Sequence, residues 1–154
     1  MIERIVSGGQ TGVDRAALDA ALETGVPCGG WCPNGRKAED GLLDVRYPLT
    51  ETPSGDYAER TTWNVRDSDG TLILTWGLPS GGTAQTIEFA SRLHKPCLVV
   101  DLDNGVQPGE VAAWASAFNV STLNVAGPRE SKCPGIYEQA AMFLRTALVE
   151  AKHQ

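Results

Sequence analysis

The sequence predicts an α/β fold: a single Rossmann-like domain over residues 1–154, with a mainly parallel sheet flanked by helices on both faces. Three observations carry that expectation. Short apolar, β-branched runs alternate with segments of helical period from one end of the chain to the other. The 17 glycines cluster where apolar runs stop, which marks tight turns and close backbone approaches rather than a low-complexity tract. Finally, 154 residues with 42% hydrophobic and 21% charged content suit one domain with a sizeable core.

Taken in order, Ile2–Ser7 is a β-branched run stopped by Gly8-Gly9, and Val13–Glu23 sets Val13, Ala16, Ala17, Ala20 and Ala21 at helical spacing before Gly25. Residues Val26–Thr52 are rich in Gly, Pro and Cys, and are expected to hold one weak strand near Tyr47–Thr50 among long loops, functional or mobile. A helix through Arg60 puts Arg60, Asn64 and Asp67 on one face, as a solvated stripe or a pocket wall. Gly70–Thr75 has the uninterrupted apolarity of a strand buried on both faces. There follow a helix at Thr83–Leu93, a strand at Pro96–Asp101, a helix at Pro108–Phe118, a strand at Ser121–Val125 and a closing helix at Ile136–Ala151.

The formal charge of −6 and the lack of a Lys/Arg run argue against nucleic acid as a partner. No apolar stretch reaches the roughly 18–20 residues of a membrane helix, so no membrane partner is expected. The start, Met-Ile-Glu-Arg-Ile-Val, has no basic region followed by a long apolar one, which makes the cytoplasm the expected compartment. Cys28, Cys32, Cys97 and Cys133 are read there as reduced thiols. Cys28-Gly-Gly-Trp-Cys32 lacks the second ligand pair a zinc site requires, since the histidines are only His94 and His153, and no metal site is expected.

Chemistry concentrates in three strand-to-helix turns, which a parallel sheet gathers beyond the carboxyl ends of its strands. The first, Ser7-Gly8-Gly9-Gln10-Thr11-Gly12-Val13-Asp14-Arg15, offers amides at a helix start, with Thr11 as a possible cap. Its spacing is neither G-x-G-x-x-G nor that of a Walker A loop. The second, Pro79-Ser80-Gly81-Gly82-Thr83, repeats the bare amides and adds a hydroxyl; the pair suggests a phosphate-sized site. The third, Ala126-Gly127-Pro128-Arg129-Glu130-Ser131, brings Arg129 as a cation for an oxyanion or as a surface partner of Glu130. Arg36 to Gly41 reads as a polar lid over the cleft, and Trp76 as either a stacking platform for a heterocycle or a plug at the sheet edge.

Five ordered blocks, Ser-Gly-Gly-Gln-Thr-Gly-Val-Asp-Arg-Ala, Gly-Gly-Trp-Cys-Pro-Asn-Gly-Arg-Lys-Ala-Glu-Asp-Gly, Arg-Tyr-Pro-Leu, Arg-Thr-x-x-Asn-Val-x-Asp-Ser-Asp-Gly-Thr-Leu-Ile-Leu and Gly-Pro-Arg-Glu-Ser, resemble the putative molybdenum carrier family over nearly the whole chain. That family belongs to the SLOG group of Rossmann-like proteins, related to the Lonely Guy enzymes. The resemblance implies a homo-oligomer, dimer or tetramer, that binds molybdenum cofactor or a related nucleotide-like anion. As a non-catalytic carrier, the chain would cradle the anion with Gly8, Gly9, Gln10, Thr11, Gly12, Gly81, Gly82 and Thr83. Arg129 or Arg36 would add charge, and Asp14 and Asp69 would accept ligand N–H or O–H groups. The alternative is a Lonely Guy-like nucleoside 5'-monophosphate phosphoribohydrolase, with Arg60 and Glu88 as its catalytic groups. Gly81 to Glu88 keeps the glycine pair and the Glu at the enzymes' spacing, and Arg60 stands nine before Asp69. Ala84-Gln85 replaces their Gly-Thr, however, and Thr61 replaces their Lys. A nucleotide-sensing module without turnover is the third possibility.

Overall fold

The computed structural model describes residues 1–152, leaving His153 outside the described residues. Its four longer strands and five helices fall close to where the sequence pattern puts them. Strand β1 (Arg4–Val6) leads into helix α1 (Val13–Thr24), which stops at Gly25; this glycine adopts φ 75° and returns its N–H to the Ala21 carbonyl. The next segment departs from the expected single strand. It forms β2 (Cys28–Gly29), β3 (Trp31–Cys32), β4 (Lys37–Ala38), β5 (Gly41–Leu42) and β6 (Thr50–Glu51). Two-residue strands carry no alternation to read, and the strand expected at Tyr47–Thr50 shares only Thr50 with β6. Helix α2 (Tyr57–Arg66) begins where the Asp56 carboxylate accepts from the Ala58 N–H at 3.0 Å. After it come β7 (Gly70–Thr75), α3 (Gly81–Arg92), β8 (Cys97–Asp101), α4 (Gly109–Ala117), β9 (Thr122–Ala126) and α5 (Ile136–Lys152).

The main sheet is wholly parallel, in the order β2-β1-β9-β7-β8. The last strand of the chain is therefore the middle strand of the sheet, with Leu123 beside Ile5 and Val125 beside Leu72. If β9 is counted first, the order becomes the 3-2-1-4-5 of a Rossmann sheet, with the winding reversing between β9 and β7. The carboxyl ends of β1, β9 and β7 thus surround the crevice where such folds take ligands.

Alternation along β7 separates two layers. Leu72 and Leu74 share a core with α1, α4 and α5, whereas the buried Ile73 lies on the face where α2 and α3 pack together. Helices α1 and α5 meet through Ala16, Ala17, Ala20 and Ala21 on one side and Ala140, Ala141, Ala147 and Ala151 on the other. Side chains this small let the two axes approach closely. The apolar positions of the last two helices are mainly core: Val111, Ala115, Ile136, Leu144 and Leu148 are buried, while Phe118 is exposed. A second, smaller core of Leu18, Cys32, Ala38, Leu43, Tyr47 and Leu49 binds the β3–β6 segment to the outer side of α1. No helix among the described residues is long and apolar enough to cross a membrane.

Candidate functional site

A cleft of about 370 Å³ opens at the winding reversal, a volume typical of small-molecule sites. All three turns reach it. Gly8, Gln10 and Asp14 come from the first, Ser80, Gly81, Gly82 and Thr83 from the second, and Gly127, Pro128, Arg129 and Lys132 from the third. Helix α2 adds Tyr57, Arg60 and Thr61.

The glycines of these turns do different work. A Cβ on Gly12 (φ 78°) would lie 2.3 Å from the Pro128 carbonyl oxygen, and one on Gly127 would lie 2.2 Å from the Leu74 carbonyl oxygen. These two glycines let the first turn, the third turn and β7 touch backbone to backbone. Gly9 (φ 81°) turns toward Leu43 and Leu49, away from the cleft. Gly8 makes room for Arg60, whose Nη1 donates to the Gly8 carbonyl at 2.6 Å. By contrast, a Cβ on Gly82 would meet nothing within 4 Å.

Three of the first turn's amides are consumed within the protein. The Thr11 N–H donates to Gln10 Oε1 at 3.0 Å, the Val13 N–H to the Pro128 carbonyl at 3.2 Å and the Arg15 N–H to the Gln10 carbonyl at 2.9 Å. Thr11 is not the helix cap that its position suggests. Gly12 holds that place, and the Thr11 hydroxyl instead bonds Glu39 and accepts from the Glu130 N–H. The amides at the start of α3 are open, because the Ser80 side chain makes no capping bond; its hydroxyl accepts from Lys132 Nζ at 2.7 Å. A helix amino end and a lysine therefore meet at one corner of the cleft.

Arg60 and Asp14 form the deeper part. Arg60 is buried, its Nε donates to the Thr61 hydroxyl at 3.2 Å, and its guanidinium stands 5.1 Å from the centre of the Tyr57 ring. The Asp14 carboxylate lies 3.9 Å from Arg60 Nη1, too far for a hydrogen bond. Burial pushes the Asp14 carboxyl up from 3.8 to about 6, against the opposing pull of Arg60 and the Gln10 backbone N–H. Of the expected polar stripe on α2, only Arg60 serves the cleft as a charge. Asn64 joins α2 to β3 by accepting from the Trp31 N–H at 2.8 Å and donating to the Trp31 carbonyl at 3.0 Å, and Asp67 accepts from the Trp31 indole at 2.8 Å.

Several residues named from sequence stand elsewhere. Asp69 lies at the amino end of the sheet, where its carboxylate accepts from the Ser121 and Thr122 N–H groups at 3.1 and 2.8 Å. Arg36 donates to the Leu49, Asp44 and Tyr47 carbonyls and ties its own loop together. The 36–41 segment is not a lid on the cleft. It is the β4–β5 hairpin, fixed behind the first turn by Glu39, which accepts from the Ser131 N–H at 3.1 Å and stands 3.6 Å from Arg129. Those Ser131 and Thr11 hydrogen bonds hold the Glu39 carboxyl below its ordinary value. Glu88 pairs with Arg92 on the exposed face of α3 at 2.5 Å, so the fold does not bring Glu88 and Arg60 together. Trp76 donates to Gln139 at 2.5 Å and packs on the core, which makes it a plug.

Lys132 and Tyr57 are cleft residues that sequence reasoning passed over. Lys132 follows Arg129 by three in the same turn, a signal available but unused, while Tyr57 had none. Behind the first turn lies a wider, more open groove of about 900 Å³, but its polar groups satisfy one another. Tyr47 donates to Asp19 at 2.6 Å, Tyr137 also bonds Asp19, and Arg15 pairs with Asp40 at 3.0 Å. Cys28, Cys32, Cys97 and Cys133 are free, and burial raises the first three thiols further from the thiolate form. Among the described residues no three His, Cys, Asp or Glu side chains gather into a metal site.

A parallel sheet wound outward from its last strand, with a polar cleft at the reversal, defines a permuted Rossmann-type ligand-binding domain. Residues 5–148 match the circularly permutated YpsA SLOG family, and the chain belongs to that family. Its strand order, which becomes 3-2-1-4-5 only when β9 is counted first, is what such a permutation produces. The chain is also similar to a crystal structure of a protein described as a putative molybdenum carrier protein from Syntrophus aciditrophicus SB. The two are 46% identical with a TM-score of 0.90 over 96% of this chain and 95% of that one. No curated protein matches the chain.

Proposed function

We propose that this protein is a non-catalytic carrier that holds a small anionic ligand, of the molybdenum-cofactor kind, in the cleft between β9 and β7. The observation that carries this reading is the cleft's charge. In a chain of net charge −6, Arg60, Arg129 and Lys132 line it together with the open start of α3, against Asp14 as the single carboxylate among the described residues. The likeness to a protein described as a molybdenum carrier supports the choice of ligand. The residues present fit such a group at its phosphate end: the amides of Gly82 and Thr83 and the ammonium of Lys132 would take the phosphate, and Arg129 would add charge. When bound, the cofactor would bring an oxo-metal dithiolene on a pterin, and the chain would hold that group by hydrogen bonds and charge. The hydrolase alternative gains no support, because Glu88 stands outside the cleft that contains Arg60.

The test is binding of inorganic pyrophosphate and of cofactor released from a molybdoenzyme, followed by calorimetry and by recovery of the ligand. The carrier reading expects the cofactor to be recovered unchanged and Gly82→Asp to weaken binding at least tenfold, since that side chain has space and adds only a negative charge. Unaltered binding by Gly82→Asp, or release of free base from a nucleoside monophosphate, would overturn it.

A further inference from the structure

Arg60 and Asp14 are a charged pair that does not close. Their side chains are 9% and 10% exposed, yet the nearest nitrogen and oxygen stand 3.9 Å apart, beyond hydrogen-bond reach. The guanidinium is fixed from elsewhere. Arg60 Nη1 is anchored on the Gly8 carbonyl at 2.6 Å and Nε on the Thr61 hydroxyl at 3.2 Å, while the ring of Tyr57 supports the guanidinium plane. The nearby Gln10 backbone N–H favours the ionised form of Asp14. Neither group can satisfy the other where it stands, and both line the cleft.

We propose that Arg60 and Asp14 form a second oxyanion subsite, on the α1–α2 side of the cleft, which takes an anion and one proton together. This inference rests on the reading of the cleft as an anion site and adds a chemical class: a ligand with two anionic ends, one held at the start of α3 and the other here. An oxyanion held by the Arg60 guanidinium would sit beside the Asp14 carboxyl, which stands 3.9 Å from Nη1. Like charges that close in a buried site cannot both remain ionised, and one is neutralised by a proton. Burial has already raised the Asp14 carboxyl to about 6, so a further rise beside a bound anion brings its proton uptake into the range near pH 7. The neutral carboxyl then donates its O–H to the anion, a charge-assisted hydrogen bond, while Arg60 supplies the positive charge.

The groups that face Asp14 bear on this coupling. Arg60 and Tyr57 approach from α2, and Arg129 and Lys132 line the same cleft from the β9–α5 connection. On its own helix Arg15 is occupied by Asp40 at 3.0 Å, and from the α3 turn come Ser80, Gly81 and Gly82, which carry no charge. Among the described residues Asp14 is the one carboxylate of the cleft lining. A bound anion adjacent to Arg60 therefore shifts the proton affinity of this group above all.

The experiment uses molybdate and sulfate, both fully ionised above about pH 6, with the intact protein. Calorimetry at pH 7.5 in two buffers of different ionisation heat counts the protons exchanged. The subsite predicts uptake approaching one proton per anion and a Kd that weakens up to tenfold per pH unit between about pH 6.5 and 8. Asp14→Asn, which keeps the shape and supplies an N–H donor, should abolish the uptake, flatten the pH profile and bind at least fivefold more tightly than wild type at pH 8. Anion binding without proton uptake by the wild-type protein overturns the subsite and leaves the anion cleft standing; that measurement needs no variant. Retention of the pH slope by Asp14→Asn overturns it equally. Absence of any binding of either anion at millimolar concentration removes the anion cleft and this subsite together.

Discussion

At the scale of single residues, the glycines divide into those that seat backbone and those that leave space. Gly127→Ala would drive a methyl group to 2.2 Å from the Leu74 carbonyl oxygen and 2.7 Å from Val13, both on rigid elements. The expected cost is about 2–4 kcal/mol, read as a lower urea midpoint at unchanged m-value. Gly82→Ala meets nothing and should leave that midpoint within about 0.5 kcal/mol. Asp14 supplies a second prediction, through pH. Its carboxyl sits at about 6 in the folded protein against 3.8 unfolded, so the folded state binds more protons between those values. Stability from this group is present at low pH and is lost as pH rises through 6, a change on the order of 3 kcal/mol at most. Asp14→Asn should therefore be more stable than wild type at pH 7, and the gap should narrow as the pH falls to 4. A gap that widens on acidification would contradict a carboxyl raised by burial.

At the scale of elements, Asp69 shows how far spacing reaches. The spacing from Arg60 matches the enzymes' pattern and the carrier reading made Asp69 a ligand contact, yet the carboxylate holds the start of β9 by two backbone N–H groups. Asp69→Asn should destabilise the fold by about 1–2 kcal/mol in denaturant titration and leave anion affinity within twofold of wild type. The long strands and helices were legible because Val13–Thr24 and Ile136–Lys152 carry enough turns to fix a period and Gly70–Thr75 is an unbroken apolar run. The β2–β6 region was not, since five two-residue strands are set by tertiary contacts such as Asn64 with Trp31 and the Leu18–Tyr47–Leu49 core. For the cleft, sequence identified the three turns but not their division of labour. Gly9 and Gly12 look identical to Gly81 and Gly82 until the atoms facing each are known. The unpaired geometry of Arg60 and Asp14, 46 residues apart, likewise exists only in the folded chain.

At the scale of the whole molecule, the permuted winding is itself testable. Lys152 at the end of α5 bonds the Thr24 carbonyl at the end of α1, and β1 and β2 start from that same side of the sheet. The last turn of α5 therefore lies close to where β1 begins. The connection between α4 and β9 runs through the exposed Phe118 and Asn119, the latter at φ 56°, on the amino side of the same sheet. A chain opened between Phe118 and Asn119, with residue 154 joined to residue 1 by a short Gly/Ser linker, would begin with β9. It would then run β9, β1, β2, β7, β8 through the sheet order 3-2-1-4-5 without moving any turn at the cleft. The rearranged protein should fold cooperatively, with the far-UV circular dichroism of the parent and anion affinity within threefold of it, because every cleft side chain keeps its strand or helix. A cut between Gly81 and Gly82 should behave differently: it places new termini and their charges at the start of α3, and should lose anion affinity at least tenfold even if the fold survives. Equal affinity in the two rearranged chains would mean that the open end of α3 takes no part in holding the anion.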